Sequence, residues 1–493
     1  MTRLVRPQTL RGFRDVLPDE MIIRNEVVDK IRRVYELYGY LPIDTPILEL
    51  LPTLVGTGGE ETDKLIFTLQ SPEHQAIGLR FDLTVPFARI VAQYTPEQIR
   101  LPFRRYHIGP VFRADDPQPE QGRFRQFTQF DVDIAGTSHV AADAEIISAM
   151  SDAFRAVGLT SAAAAGGARY FIRVNNRRVV DAFLLGIGIA APEQAQHVLR
   201  VIDKRDKLSD AELVAELGDG RTDASGDRIK GVGLAPATVR AIMDFISIEA
   251  SERAAILSAL DKEIKPGPEK EGALAELADL CRHLDALGVP DDAARLDPSL
   301  ARGLAYYTNT VYEGSMPGAG VGSVMGGGRY DNLVNRFLDE PVYATGASIG
   351  LDRLVTGLKN LGLDAQAQRN TAQVIVLFMP GVPEPEANGL AAELRAHGIA
   401  TELYLGDAMG KVGRQLAFAN ARGMSAAILL GEEELANGTV SIKDLREGGR
   451  AREGIAEHSS YLSAGTTGQQ TVGRAELVAA VRQVLDLGPG REG

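Results

Sequence analysis

Cysteine is nearly absent: Cys281 is the single one among 493 residues. That excludes an internal disulfide framework and any cysteine-based zinc cluster. The seven histidines, at positions 74, 107, 139, 197, 283, 397 and 458, never fall at a metal-ligand spacing such as HExxH. No apolar run approaches the ~20 residues a membrane span needs. The stretch from Met1 to Asp15 carries four arginines but no apolar core, so it does not read as a signal peptide. GxxxxGK[ST] is missing, which excludes a Walker-type phosphate loop. Positive charge is in short supply, with 53 Lys and Arg against 66 Asp and Glu. The net charge of −13 excludes a general nucleic-acid coat, so any such contact must come from local basic patches. The expectation is a soluble, cytoplasmic protein of a reducing compartment, long enough for roughly two to four domains.

The first strong pattern runs from Asp19 to Tyr38, where Ile23, Val27, Ile31, Val34 and Tyr38 make one apolar helical stripe. Pro18 and Gly39 flank it as helix ends prefer. Pro42 and Pro46 then force an extended, edge-like path. Short strands are expected near 65–69 and 78–81. The stretch from Phe103 to Ile134 reads as a hairpin with a long polar turn, Ala114 to Gly122, which points to an antiparallel sheet. From about 175 to 295 the texture becomes rich in Ala, Glu and Leu and reads as an inserted helical region. Strand-like sequence resumes at Ala301–Glu313. A glycine-rich stretch leads to Arg329-Tyr330-Asp331 and an expected helix, and Ala344–Leu358 reads as strand then helix. After a polar linker, 364–370, apolar strands at 374–379, 400–405 and 426–430 alternate with helical patterns, which predicts a small parallel α/β domain.

The segment Arg123–Ile134 carries the most information. Alternate side chains of a strand share a face. Phe130, Val132 and Ile134 lie on one face; Arg125, Phe127, Gln129, Asp131 and Asp133 lie on the other. Taken alone, this suits a half-exposed strand. Its context is a basic hairpin: residues 100–125 hold six arginines against three acids, with Arg104, Arg105 and Arg113 upstream of the turn. That suggests an anionic ligand such as phosphate, which arginine grips with two parallel bonds. Asp82 and Thr84 sit before a helix, where either capping or ligand binding accounts for them. The run Gly326-Gly327-Gly328 could wrap a phosphate or turn a hairpin. Gly346–Leu354 reads as a tight strand–helix junction in which Arg353 occupies the first helical turn, an electrostatically unfavourable place for a cation that hints at a function.

Together these pieces resemble the histidyl-tRNA synthetase family of class II aminoacyl-tRNA synthetases. The Pro46 region resembles the dimer-forming motif of the class. Phe112-Arg113 with Arg123–Asp133 resembles its second motif, and Gly350-Leu351-Asp352-Arg353 its third. Leu300-Ala301-Arg302-Gly303-Leu304-Ala305-Tyr306-Tyr307 and Gly326-Gly327-Gly328-Arg329-Tyr330-Asp331 resemble the two histidine-specific motifs. The matches run from Arg11-Gly12-Phe13-Arg14-Asp15 almost to the end of the chain.

The resemblance implies an α+β catalytic domain on an antiparallel sheet, at 1–174 and 296–366, with a helical insertion at 175–295. A C-terminal α/β anticodon-binding domain would follow at 371–493. The implied activity is a histidine–tRNA ligase that forms histidyl-adenylate from ATP and passes histidine to the 3′-terminal ribose of tRNA(His). Asp82, Thr84 and Gln129 would hold the substrate ammonium. Asp133 and Tyr307 would bond the imidazole, with Tyr330 walling the pocket. Arg113 and Arg302 would stabilise the reacting phosphate, and Arg123 and Arg353 would hold ATP. The implied cofactor is Mg2+ with ATP, without zinc, and the implied assembly is a homodimer. Lys411, Arg414, Lys443 and Arg446 would meet the tRNA, as a patch within a domain whose net charge is −4. Two departures stand out. Ala305 replaces the aspartate usual in the Arg-Gly-Leu-Asp-Tyr-Tyr pattern, which favours the alternative of a histidine-sensing regulatory subunit of a biosynthetic phosphoribosyltransferase. Aspartate stands at 82 and 133 where better-known bacterial members carry glutamate, so the pocket walls must sit closer.

Overall fold

A computed structural model describes residues 4–56, 60–161, 167–223, 226–301, 307–363, 370–406, 412–447 and 468–486. Arg302, Ala305, Lys411 and the linker residues 364–369 lie outside the described residues. The chain divides into two compact units, Met1–Asp15 with Glu26–Ala365, and Val16–Asn25 with Gln366–Gly493.

The first unit contains β1 (Leu41–Pro42), β2 (Leu48–Leu50), β3 (Thr68–Gln70), β4 (Ala76–Leu79), β5 (Phe103–Phe112), β6 (Gln126–Ala135) and β7 (Phe171–Asn176). These are followed by β8 (Gly220–Thr222), β9 (Arg228–Lys230), β10 (Ala294–Leu296), β11 (Thr310–Ser315), β12 (Met325–Arg329) and β13 (Ala344–Gly350). Eight strands form one sheet in the order β1-β5-β6-β13-β12-β11-β7-β10. Its interior pairs are antiparallel, and the two outermost pairs, β1 with β5 and β7 with β10, are parallel. The antiparallel sheet expected from the long hairpin is therefore present, with β5 and β6 in register over ten residue pairs.

Parallel neighbours need a long crossover. The helical stretch between β7 and β10 is that crossover. Its last helix, Pro268–Ala286, packs on helix Val140–Ala156, so these residues share a core with the sheet. The helix expected after Asp331 is instead a single 3-10 turn, Val334–Arg336.

Both faces of β6 are buried from Gln129 to Ala135. Phe130 and Val132 are fully buried, and Tyr35 of helix Pro18–Leu37 meets the Phe130 ring edge-on at 4.9 Å. Gln129, Asp131 and Asp133 on the other face are also buried. The half-exposed strand suggested by alternation is thus corrected: the polar face turns into an internal site.

The second unit contains β14 (Val374–Phe378), β15 (Thr401–Leu403), β16 (Ala426–Leu430), β17 (Thr439–Asp444) and β18 (Gln469–Gly473). Their order is β15-β14-β16-β17-β18. The first three strands are parallel, as expected, but β17 and β18 add antiparallel pairs, so the sheet is mixed. Val374, Val376 and Ile428 pack against helices Glu384–Ala396 and Leu477–Val484. Ile375, Leu377 and Leu429 pack with Ala419 of helix Val412–Ala421. A sheet covered on both faces reads as continuous aliphatic runs, which is what these strands show.

Candidate functional site

The polar face of β6 is one wall of a cavity of about 360 Å³ in the first unit. Nine of the residues singled out in the sequence line it: Asp82, Thr84, Arg113, Arg123, Gln129, Asp133, Tyr307, Tyr330 and Arg353. They come from β6, from the start of helix Thr84–Tyr94 and the turn before it, from the β5–β6 connection, from the segment before β11, from the end of β12, and from helix Leu351–Asn360.

At one end the cavity is built on Asp133. In register it stands opposite Arg105 on β5 and Gly346 on β13. Its Oδ2 is 2.6 Å from Nη2 of Arg105, and its Oδ1 accepts a very short hydrogen bond from the Tyr330 hydroxyl. A Cβ on Gly346 would collide with Oδ1 of Asp133, so only glycine lets the carboxylate lie across the neighbouring strand. Gly327 is required in the same way, since a Cβ there would strike the Tyr312 ring. The glycine-rich run is therefore a strand whose missing side chains make the cavity floor, and not a phosphate-wrapping turn.

Asp82 combines two roles. Its Oδ1 accepts from the backbone N–H of Val85 at 2.9 Å, in the first turn of helix Thr84–Tyr94 whose N-cap is Leu83, and its carboxylate also faces the cavity. Burial raises its pKa, opposed by that backbone bond and by Arg113. Burial likewise pushes Asp133 up, against the pull of Arg105. Asp131, two residues before it, is pushed up to about 7 by burial, again against Arg105. Gln129 donates to the Ser348 hydroxyl.

The other end lies toward the start of β6, about 17 Å from Asp133 by strand rise. Asp352 accepts from the backbone N–H of Thr128 at 2.8 Å and from Arg14 at 2.9 Å. Arg14 also lies over the Phe124 ring at 4.2 Å. Gly122, with φ +67°, lets the tip of the β5–β6 connection rest against the backbone of Asp352 and Arg353, where a Cβ would press on both. Arg353 donates to the Ser323 carbonyl at 2.8 Å, Arg123 pairs with Asp115, and Arg113 packs over the Phe81 and Phe127 rings.

The basic hairpin is less available than its composition suggests. Arg104 pairs with Glu145, Arg105 is spent on Asp133, and Arg125 donates to the Asp115 carbonyl. Arg113 and Arg123 are the two that line the cavity. Sequence reasoning assigned no role to Arg105, Arg14, Asp352, Asp115 or Glu313. Arg14 and Asp352 sit inside quoted motifs, but their partnership across 338 positions has no local signal. Arg105 was hidden among six arginines; its register opposite Asp133 identifies it.

Beneath the floor lies a second buried pair. Arg329 donates to Asp143 and to the Thr137 and His139 carbonyls, and Thr345 donates to Asp143 at 2.8 Å. It ties β12 to the start of helix Val140–Ala156. Among the described residues no cluster of His, Cys, Asp and Glu could hold a metal ion, and no helix is long and apolar enough to cross a membrane.

In the second unit Arg414 is exposed, and Arg446 is exposed but pairs with Asp444 and Asp486. Lys443 is only 4% exposed, because it lies inside β17 between β16 and β18, so it does not belong to a surface patch.

The histidyl-tRNA synthetase family model matches residues 12–354, and the anticodon binding domain model matches residues 373–483. A curated histidine–tRNA ligase from Rhizobium rhizogenes is 41% identical over 496 residues, spanning 96% of this chain and 95% of its own. The crystal structure of histidyl-tRNA synthetase from Nostoc sp. PCC 7120 has a TM-score of 0.77 and 28% identity, over 97% of this chain and 100% of that one. A structure from Bacillus halodurans, described as an ATP phosphoribosyltransferase regulatory subunit/histidyl-tRNA synthetase, covers 87% of this chain and 99% of its own at a TM-score of 0.69. Its 24% identity shows the fold alone. By the extent of these matches across both units, the chain belongs to the histidyl-tRNA synthetase family.

Proposed function

We infer that the protein is a histidine–tRNA ligase: it activates L-histidine with ATP and transfers it to the 3′-terminal ribose of tRNA(His). The observation that carries this reading is a single cleft that holds a buried carboxylate wall at one end and arginines at the other. In it, Asp82, Thr84 and Gln129 bind the ammonium of histidine. Asp133 and Tyr307 hydrogen-bond the two imidazole nitrogens, and Tyr330, which walls the pocket, holds Asp133 in place. An amino acid without ring nitrogens would leave these buried groups unpaired, and that penalty rejects it.

Arg123 and Arg353 hold the nucleotide. Arg113 and Arg302 flank the α-phosphate as the histidine carboxylate attacks it and pyrophosphate leaves. Fixed cations aimed at charge that grows in the transition state account for most of such an acceleration. The donor set fits a magnesium ion carried by the polyphosphate and not a protein cage: Asp115 and Asp352 face the cavity but are engaged by Arg123 and Arg14. Glu313, which also lines the cavity, is likewise engaged, by Arg173. Such an ion neutralises phosphate charge when bound.

Residues 1–174 and 296–366 form the catalytic core, 175–295 its helical insertion, and 371–493 bind the anticodon arm, with Arg414 and Arg446 at the RNA. The enzyme works as a homodimer in the cytoplasm. A histidine-sensing regulatory subunit is the second reading, favoured by Ala305; the anticodon-binding match at 373–483 weighs against it. Charging of a tRNA(His) transcript with labelled histidine decides. Accumulation of histidyl-tRNA is expected. Tight histidine binding without charging would favour the sensor.

A further inference from the structure

Arg105 is fully buried and does not line the cavity, yet it touches two of its walls. Its Nη2 is 2.6 Å from Oδ2 of Asp133 and 3.3 Å from the carbonyl of Leu83, the residue between Asp82 and Thr84. Asp131 is 3.8 Å away on the same strand face, and the guanidinium lies over the Phe87 ring at 4.5 Å. Its Nε and Nη1 are buried without an acceptor among the described residues. A buried guanidinium with unmet donors lowers stability, and well-packed apolar residues often serve a core as well or better. Stability alone therefore gives no reason for an arginine here.

We propose that Arg105 is the positioning residue of the histidine pocket: it holds Asp133 aimed into the cavity and locks the imidazole wall to the Asp82–Thr84 turn. This rests on the reading of the site given above. The geometry explains how aspartate can serve at position 133. A short carboxylate reaches the ligand only if its strand position and rotamer are fixed. Arg105 grips one oxygen, Tyr330 binds the other, and Gly346 leaves room between them. The same cation opposes the effect of burial on Asp82, Asp131 and Asp133. The other titratable groups around it are His107 on the same strand, Tyr35 below the sheet and Tyr330 across it. Burial, Arg105 and Arg80 hold His107 neutral, with its pKa lowered to about 3. Arg105 is thus the cation in direct reach of Asp133 among the described residues.

The test is histidine-dependent ATP–pyrophosphate exchange by full-length wild type, Arg105→Met and Arg105→Lys, across pH 5.5–8.5. Arg105→Met should raise KM for histidine by about tenfold or more, with KM for ATP changed by no more than about twofold, the split expected when ground-state binding of one substrate is lost. The acid limb of kcat/KM for histidine should move up by about one pH unit, because a buried carboxylate without its counter-ion takes up a proton earlier. Arg105→Lys keeps the charge but loses the planar guanidinium that rests on the Phe87 ring and aims Nη2 at Asp133 and Leu83. It should leave the acid limb in place while KM for histidine stays raised several-fold. If Arg105→Met does not fold, Arg105→Lys decides, and a wild-type KM for histidine in it would overturn the proposal. Equal loss for histidine and ATP with an unmoved acid limb would overturn it too, since that marks a merely structural role. A wild type that activates no histidine contradicts the reading of the site itself; an active wild type with an unaltered Arg105→Met contradicts the proposal alone.

Discussion

The two large sheets of this chain are built on opposite principles. In the second unit both faces of β14 and β16 are covered by aliphatic side chains from three helices. In the first unit one face of β6 is equally apolar, but the other buries Gln129, Asp131 and Asp133, with Arg105 behind them and the Arg329–Asp143 pair under the neighbouring strands. Buried charges are weak devices for stability, and removing one partner is strongly destabilising. The concentration of Asp131, Asp133 and Arg105 on one face of one sheet is therefore the mark of a site, while the Arg329–Asp143 pair lies on the opposite face, in register with Thr345 and Ile134. The aliphatic sheet, by contrast, is a platform whose function lies on its surface.

The contrast can be broken from the platform side first. Ile428 is fully buried between two strands and a helix. Ile428→Ala should lower the stability of the second unit by about 2–5 kcal/mol. Pyrophosphate exchange should persist while charging of tRNA falls. Denaturant unfolding followed alongside both assays checks this, and a parallel loss of exchange would contradict it.

On the other side, Arg302→Ala should leave folding intact and slow exchange by about 10²–10³, with histidine binding nearly unchanged, as for a charge stabiliser of the transition state. Normal exchange in this variant would remove Arg302 from the mechanism. Asp133→Asn keeps the size of the side chain but removes the charge facing the imidazole. It should lose about 2–3 kcal/mol in kcat/KM for histidine, the value of a charge-assisted hydrogen bond. Near-normal histidine activation would sink the pocket assignment.

The smallest effect concerns pH. Burial raises the Asp131 carboxyl from its ordinary 3.8 to about 7, while Arg105 pulls it down. Between those values the folded protein holds a proton that the unfolded chain has lost. The contribution of this group is fully present below about pH 4 and is lost as pH rises through about 7. Asp131→Asn should therefore show a smaller fall in Tm than wild type between pH 5 and 8. Identical slopes would show that Asp131 does not hold that proton.

How much of this was legible in the sequence follows from the range of each interaction. The β5–β6 hairpin was visible because alternation and its turn are local. Asp82 before a helix was visible for the same reason, and the structure shows that its bond to the first-turn N–H of Val85 and its place in the cavity coexist. The parallel placement of β7 beside β10 was not visible, since a long, mostly helical stretch separates Asn176 from the strand that starts at Ala294 and nothing local records the crossover. The polar face of β6 read as half-exposed because alternation reports two unlike faces without saying whether the polar one meets water or a cavity. Lys443 failed for the reverse reason: a lysine in a charged stretch looks exposed until the flanking strands are seen. The antiparallel β17 and β18 lack the aliphatic runs of the parallel strands before them. Arg302 and Ala305 were legible only as a motif, and they lie outside the described residues.

The central claim is that the buried polar face of β6 is a histidine pocket serving an ATP-dependent ligation. The most direct measurement is ATP–pyrophosphate exchange by the full-length protein with each of the standard amino acids in turn. Exchange with histidine and with no other amino acid at comparable rate is the predicted result. Exchange driven by a different amino acid, or none at all from a protein that binds histidine, would contradict it.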